Sequence, residues 1–311
     1  MRAVVVTEPG GPESLRIIEA EIPEPGPLQV RLRVEAAAVN PVDTAMRAGV
    51  FAGMGLVDQP RYGIGWDAAG VVDAVGEGVT GFAAGDRVVA LSDRFDQSLG
   101  AYAEYLVVDE FAVAPAPRNT DAVHAATLPL NALTADQSLD LLALEPGQTL
   151  LVTGAAGAVG GYAVELAAKE RGLRVVAQAS AADEALVRGL GAAEFVPRDA
   201  DLVASVRAFA PGGVHGVLDA AALGGPVLRA LRPRGQYVKV RPLDILLPLR
   251  AATVHLTQVY ADGARLGELA ALADKGVLTL RVADTLPLER AADAHERLTR
   301  GGVRGRLVLV P

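Results

Sequence analysis

Short apolar and alternating stretches mark the first third of the chain. They predict β-strands, because turns rich in glycine and proline separate them. The predicted strands are residues 3–7, 29–35, 69–75, 87–91 and 103–108. Strands this short and this closely spaced are typical of a small barrel-like β domain. Pro115 and Pro117 then interrupt the chain before a helix-prone stretch at 121–144, which indicates a domain boundary.

Strands and helices alternate after residue 146. Continuous apolar runs predict strands at 149–153, 174–177, 194–196, 216–220 and 236–240. Helical spacing of apolar residues predicts helices at 158–171, 182–190 and 202–209. This alternation predicts a parallel sheet with crossover helices. In the remaining part of the chain we expect helices at 264–275 and 288–300, and strands at 279–283 and 306–310.

Composition narrows the classes of function. The 311 residues, 51% of them hydrophobic, suffice for two domains. The chain contains no cysteine, which excludes disulfides, thiolate nucleophiles and cysteine-ligated metals and fits a reducing, cytoplasmic setting. With a net charge of −8 and no basic run, the chain lacks the pattern of proteins that bind nucleic acid or an anionic membrane. We therefore expect a small-molecule substrate and neither a nucleic-acid nor a membrane partner.

The most informative segment joins a predicted strand to a predicted helix through glycines three positions apart. Such glycines allow a tight turn, the approach of a pyrophosphate and close packing of the helix on its strand. The helix N-terminus then favours the phosphate charge. We therefore predict a dinucleotide site, the alternative being a turn that only packs. The expected contacts are Gly154, Ala155, Ala156, Gly157, Ala158, Val159 and Gly160.

The end of the next strand bears on the choice between NAD and NADP. An NAD site usually places an acidic residue there to bind the ribose 2′-hydroxyl. Residues 177–180 are Ala-Gln-Ala-Ser, with no acid. This favours NADP(H), with Ser180 as a hydrogen-bond donor to the 2′-phosphate. Alternatively, Ser180 caps the helix that follows.

Several stretches in order along the chain resemble those of a known family. They are Val39-Asn40-Pro41-Val42-Asp43, Gly65-Trp66-Asp67-Ala68-Ala69-Gly70, Gly85-Asp86-Arg87-Val88, Leu128-Pro129-Leu130, the glycine turn and Gly305-Arg306-Leu307-Val308-Leu309. The chain resembles the zinc-free quinone oxidoreductase (zeta-crystallin-like) branch of the medium-chain dehydrogenase/reductase superfamily. This resemblance implies an α/β protein with a GroES-like β-barrel domain (1–118 and 263–311) and a Rossmann doubly wound parallel-sheet domain that binds NADP (119–262). It also implies a homodimer.

The resemblance assigns further candidate site residues. Asn40 would lie near the nicotinamide and substrate, and Thr134 near the nicotinamide. Local sequence alone leaves open a turn-forming Asn and an ordinary helical Thr. Arg198 matches a position over the adenosine 2′-phosphate but could equally be a solvated surface charge. Val240, at the end of a predicted strand, is also expected to contact the cofactor.

Departures from relatives sharpen these expectations. Gly65-Trp66-Asp67 stands where zinc-dependent relatives carry Gly-His-Glu, and the four histidines show no ligand spacing, so we expect no metal. Asp183 replaces a basic residue of many NADP-using relatives, which Arg188 or Arg198 would compensate. Some relatives carry tyrosines shortly after the Asn-Pro segment, where this chain has Ala45 and Phe51. This leaves Tyr62 or water as the proton donor.

Together these features predict NADPH-dependent reduction of quinones or α,β-unsaturated carbonyl compounds by metal-free hydride transfer. Asn40 would stabilise charge on the substrate oxygen, and Tyr62 is the candidate proton donor. Two alternatives remain, an enoyl reductase of a biosynthetic pathway and a non-catalytic NADPH-binding protein. Loops at 50–62 and 241–248 are expected to form the walls of the substrate pocket.

Overall fold

The computed structural model describes residues 1–241 and 248–311. Within these residues the strands are β1 (Arg2–Val6), β2 (Leu15–Glu19), β3 (Gln29–Ala38), β4 (Tyr62–Gly63), β5 (Asp67–Val75), β6 (Arg87–Leu91), β7 (Tyr105–Asp109), β8 (Val113–Pro115), β9 (Thr149–Thr153), β10 (Arg174–Ala179), β11 (Glu194–Pro197), β12 (Val214–Asp219), β13 (Leu231–Lys239), β14 (Thr253–Leu256), β15 (Val282–Pro287) and β16 (Arg306–Val310). The α-helices are α1 (Pro41–Arg47), α2 (Val50–Gly53), α3 (Ala122–Ala125), α4 (Pro129–Leu142), α5 (Ala158–Glu165), α6 (Glu184–Leu190), α7 (Leu202–Phe209), α8 (Gly225–Leu228), α9 (Gly263–Asp274) and α10 (Ala291–Arg300).

The chain divides into two compact units. Unit 1 comprises Met1–Leu130, Tyr260–Asp274 and Leu280–Pro311, and unit 2 comprises Asn131–Val259 and Lys275–Thr279. These units are defined by contacts within the structure. The domain bounds 1–118 with 263–311, and 119–262, come from the resemblance and stay a prediction.

Unit 1 is built on mostly antiparallel sheets, in which β15 and β16 form a parallel pair. Its larger sheet has the strand order β15-β16-β3-β5-β6-β8, and β7 also pairs with β3. A smaller sheet has the order β2-β1-β4. In β3 the alternate residues Val30, Leu32, Val34 and Ala36 are buried, as expected for strands with one face on a core. The predicted β-rich first part of the chain is confirmed.

Unit 2 contains a parallel sheet in the order β11-β10-β9-β12-β13-β14. Counted from β9, this is the order 3-2-1-4-5-6 of a doubly wound dinucleotide-binding fold. All five residues of β9 are buried, which explains its unbroken apolar pattern. The predicted alternation of strands and helices is therefore confirmed.

The structure corrects some element bounds. The strand expected at 279–283 begins only at Val282, because Thr279 donates to the Glu165 carboxylate from both its amide and its hydroxyl, at 3.0 and 2.7 Å. The helix expected at 158–171 gives way to a π-helical turn at Leu166–Glu170. The strands β2, β4, β8 and β14 were not predicted. In the described residues, no helix is long and apolar enough to cross a membrane.

Candidate active site

The residues predicted to bind the cofactor lie mostly at one edge of the unit 2 sheet. The glycine turn follows β9, Ser180 follows β10, Arg198 follows β11 and Val240 follows β13. In a parallel sheet the carboxyl ends of neighbouring strands share an edge, and ligands bind where the strand order reverses. That reversal falls between β9 and β12, beside the glycine turn.

Sterics explain the glycines of the turn. Gly154 has φ +61°, in the left-handed region that favours glycine. A Cβ on Gly160 would lie 2.8 Å from the Gly154 carbonyl carbon and 2.9 Å from Ala155 Cα, so only glycine lets α5 pack this closely on the turn. The first N–H groups of α5 have no acceptor within the helix, as at every helix start. The turn therefore fits a pyrophosphate.

A neighbouring strand fixes the turn in place. The Gln178 carbonyl accepts a hydrogen bond from Ala155 N at 3.1 Å, and its side-chain Oε1 accepts one from Gly154 N at 3.4 Å. Gln178 lies in β10 and is buried. Its role was not predicted, because a polar residue inside an apolar strand shows no local pattern.

Ser180 and Arg198 are neighbours at the ends of β10 and β11. The Arg198 amide donates to the Ala179 carbonyl at 2.8 Å, which sets the two residues side by side. Ser180 is half-buried and occupies the N-cap position of a 3₁₀ turn, but its side chain makes no capping hydrogen bond. Arg198 is exposed, and its side chain makes no hydrogen bond or ion pair with another of the described residues.

Arg188 and Asp183, also near this edge, differ from Arg198 in their contacts and burial. Arg188 is engaged, since its Nε donates to Glu184 at 2.8 Å and its Nη1 to the Ala193 carbonyl at 3.2 Å. Asp183 is buried. Both arginines named as compensating for Asp183 are exposed, and Arg188 is the one whose guanidinium is engaged by its own unit.

A buried aspartate that the sequence analysis missed holds the loop after β12. The Asp219 carboxylate accepts hydrogen bonds from Thr153 Oγ1, Leu223 N, Gly224 N and Tyr237 Oη, at 2.5–3.1 Å. Thr153 Oγ1 in turn accepts from Ala221 N at 3.1 Å. These bonds tie the loops that follow β9 and β12 together. The sequence signal that could have identified Asp219 is an acidic residue at the carboxyl end of a buried strand.

The remaining predicted cofactor contacts differ in exposure. Thr134 lies buried in α4, where its carbonyl accepts from Ser138 Oγ at 2.6 Å. Val240 is half-buried directly after β13. Of the predicted pocket wall at 241–248, residues 242–247 lie outside the described residues. The structure therefore leaves the cofactor roles of Thr134 and Val240 as predictions.

Asn40 lies in unit 1, immediately before α1, and is fully buried. Its amide Nδ2 donates to Asp67 Oδ2 at 2.7 Å and to the Ala38 carbonyl at 3.4 Å, and its backbone N donates to Asp43 Oδ2 at 2.7 Å. Both amide N–H groups thus have acceptors inside unit 1. The predicted hydrogen bond from Asn40 to a substrate oxygen would have to replace one of them.

A chain of buried polar groups continues from Asp43. Tyr102 Oη donates to Asp43 Oδ2 at 3.0 Å and lies 3.3 Å from His295 Nε2, and Arg47 Nη1 lies 3.4 Å from His295 Nδ1. Because arginine only donates, Nδ1 accepts and Nε2 carries the hydrogen that points to Tyr102. Burial, with a smaller contribution from Arg47, lowers the pKa of His295 to about 3. The imidazole is therefore neutral.

The two carboxyl groups of this network are strongly perturbed. Burial is the main cause that raises the pKa of both Asp43 and Asp67 to about 7. Hydrogen bonds oppose the shift, from Asn40 and Tyr102 to Asp43, and from Asn40 and Leu130 N to Asp67. Oδ1 of Asp43 is buried without a hydrogen-bond partner. Sequence reasoning missed this network because its members come from distant parts of the chain.

Tyr62 is buried in β4, and its hydroxyl donates to the Met46 carbonyl at 3.0 Å. Burial raises its pKa. A role as proton donor would require this bond to break. Trp66 donates to Met46 Sδ at 3.1 Å and packs edge-on against Phe95, whose ring is tilted by 39° against that of Phe51.

The histidines do not form a metal site. His124 pairs with Asp121, His215 accepts from Thr149 N, His255 lies against Gln236 and His295 belongs to the network above. Among residues 1–241 and 248–311, no group of three histidine, aspartate or glutamate side chains could hold a metal ion. The described residues therefore do not fit a catalytic zinc, and metal-free catalysis stays a prediction.

Two protein families match parts of the chain. Residues 26–118 match the alcohol dehydrogenase GroES-like domain, and residues 190–309 match the zinc-binding dehydrogenase family. The first match and the parallel sheet of unit 2 confirm the predicted fold class, a GroES-like domain with a Rossmann domain.

Relatives match over the whole chain. Human quinone oxidoreductase is 30% identical over 338 residues, which cover 100% of this chain and 98% of the relative. A crystal structure of an NAD-dependent alcohol dehydrogenase is 34% identical with a TM-score of 0.89, and covers 100% of both chains. A mycobacterial protein solved with NADPH is 28% identical with a TM-score of 0.85, again over 100% of both chains. The chain therefore belongs to the quinone oxidoreductase branch of the medium-chain dehydrogenase/reductase superfamily, oxidoreductases that use a nicotinamide cofactor.

Proposed function

We propose that this oxidoreductase uses NADPH to reduce quinones or α,β-unsaturated carbonyl compounds. The observation that carries the cofactor choice is that Ser180 and Arg198 follow the neighbouring strands β10 and β11, joined there by the bond from Arg198 N to the Ala179 carbonyl. Neither side chain is engaged elsewhere among the described residues, and no acidic side chain stands at 177–180. A hydroxyl donor beside a guanidinium suits a phosphate, whereas an NAD site calls for a carboxylate at this place.

The relatives support the reaction class. The name of the human relative refers to quinones, and the mycobacterial neighbour was solved with NADPH, whereas the name of the 34% identical neighbour refers to NAD. Bound NADPH supplies the hydride. The glycine turn would hold its pyrophosphate, and Asn40 would stabilise charge on the acceptor oxygen. Conjugated acceptors spread that charge over several atoms, which suits a site without a metal.

The cofactor proposal is tested by comparing kcat/KM for NADPH and NADH with a fixed quinone. We expect wild-type protein to prefer NADPH, and Arg198→Ala to lower kcat/KM for NADPH by about 10- to 100-fold while leaving NADH unchanged, as for loss of one charge-assisted hydrogen bond. Arg188→Ala is the matched control, since Arg188 is engaged with Glu184. Equal use of both cofactors by wild-type protein, or equal effects of the two variants, would refute the assignment.

The substrate class needs its own assay. Loss of NADPH absorbance is followed with 1,4-benzoquinone, a small enone and an enoyl thioester. Preference for the thioester would favour the enoyl reductase, and tight NADPH binding without any turnover would favour the non-catalytic protein. The homodimer and the cytoplasmic location stay predictions.

A further inference from the structure

The carboxylate of Asp67 stands out among the groups that the proposed function leaves unused. We propose that Asp67 is a positioning residue: it holds one amide N–H of Asn40 and so determines which N–H is left for a substrate oxygen. This role rests on the proposed reductase function.

The two hydrogen bonds of the Asn40 amide are unequal. The bond to Asp67 is 2.7 Å long and has a carboxyl acceptor, whereas the contact with the Ala38 carbonyl is 3.4 Å long. Hydrogen bonds from N–H to oxygen are about 2.7–3.2 Å long, so the first is at the short end of this range and the second lies beyond it. A substrate oxygen therefore displaces the Ala38 contact at little cost and leaves the Asp67 bond in place.

Neither partner is free to move. Asp67 Oδ1 accepts from Leu130 N at 2.7 Å, so the carboxylate is held at both oxygens. The backbone N–H of Asn40 is held separately by Asp43 Oδ2 at 2.7 Å. Turning the amide over would set its carbonyl oxygen against the Asp67 oxygen that now accepts from Nδ2. It would also set the NH₂ group against the backbone N–H of Asp43, from which the Asn40 side chain accepts in the capping box of α1. Asp67 and this capping box together determine the orientation of the Asn40 side chain.

Substitution of Asp67 by Asn replaces the acceptor that faces Asn40 with a donor, with almost no change in volume. The new side chain can still accept from Leu130 N through its carbonyl oxygen, but its NH₂ group then faces the NH₂ group of Asn40. Two donors cannot satisfy each other, so the Asn40 amide turns over. Its oxygen then accepts from the new NH₂ group, and its own NH₂ group leaves the place from which it would reach a substrate oxygen. The exchange double variant Asn40→Asp/Asp67→Asn restores a donor and an acceptor in contact but removes the amide donor at position 40.

Kinetics separate positioning from simple stabilisation. For Asp67→Asn we expect kcat with 1,4-benzoquinone to fall about 10- to 100-fold, as for other losses of precise orientation, with the NADPH dissociation constant unchanged. The exchange variant should recover the urea midpoint of the wild type but not kcat. Recovery of kcat in the exchange variant, or an undiminished kcat in Asp67→Asn, would overturn the proposal.

A second readout needs no turnover. The chain has three asparagines, Asn40, Asn119 and Asn131, so selective ¹⁵N labelling gives three side-chain amide pairs. In wild-type protein, one Asn40 amide proton should be shifted strongly downfield and exchange slowly. The Asp67→Asn variant has four amide pairs, and its Asn40 pair should lose both properties. Two equivalent protons in the wild type would refute the positioning role. Absence of turnover with every acceptor, with this signature intact, would instead contradict the proposed function.

Discussion

Replacing Gly160 by Ala tests the close packing of α5 on the glycine turn. The new Cβ would lie 2.8 Å from the Gly154 carbonyl carbon and 2.9 Å from Ala155 Cα, and it would be closer still to the Gly154 oxygen. Ordinary contacts between carbon atoms are about 3.5–4.0 Å, so α5 must retreat by roughly 0.6–1.2 Å. Overpacking of this kind costs about 1–3 kcal/mol, while alanine returns up to about 1 kcal/mol of helix propensity.

Gly189→Ala provides the matched control. Gly189 lies in α6 of the same unit, and a Cβ there meets no atom within 4 Å. We expect Gly189→Ala to raise the free energy of unfolding by about 0.5–1 kcal/mol and Gly160→Ala to lower it by about 1–2 kcal/mol. Urea unfolding followed by circular dichroism measures both values. Because the turn moves, Gly160→Ala should also weaken NADPH binding by about 10-fold in a fluorescence titration. Equal stabilisation by the two substitutions would refute the steric argument.

Two further predictions concern unit 1. Tyr62→Phe removes the hydrogen bond to the Met46 carbonyl and should lower the free energy of unfolding by about 1 kcal/mol, with kcat changed by less than about threefold. A hundredfold loss of kcat would instead identify the Tyr62 hydroxyl as the proton donor. The pKa of Asp43 is raised from 3.8 to about 7, so its contribution to stability is present below pH 3.8 and is lost as the pH rises through 7. Urea titrations should therefore show wild-type protein losing roughly 2–4 kcal/mol relative to Asp43→Asn between about pH 4 and 8. A difference that does not vary with pH would contradict the raised pKa.

Local sterics explain which parts of the site could be predicted. The glycine turn is visible in the sequence, because left-handed backbone at Gly154 and close packing at Gly160 each demand glycine. The missing acid at 177–180 is equally local. The support of the turn by Gln178 is not local, since nothing in an apolar strand marks which polar side chain faces the next loop.

The surroundings of Asn40 depend on residues far apart in the chain. Asp67, Tyr102 and His295 come from β5, a loop and α10, and only the folded chain shows that they share one network. The strand β14 escaped prediction because it is short and only partly buried, and β4 because it has two residues. Propensity is a weak signal for elements of that size.

The last strand of the chain has a consequence for the order of folding. In β16, Val308 pairs with Ala38 of β3, so the partners are 270 residues apart in the chain. Closing so long a loop costs conformational entropy before any contact compensates it. A ribosome delivers β9 to β14 of the parallel sheet well before β16 emerges. Unit 2 can therefore fold during synthesis. In unit 1, the backbone groups of β3 at Ala37–Ala38 stay unpaired until β16 is synthesised, and until then a chaperone or a misplaced strand can bind them.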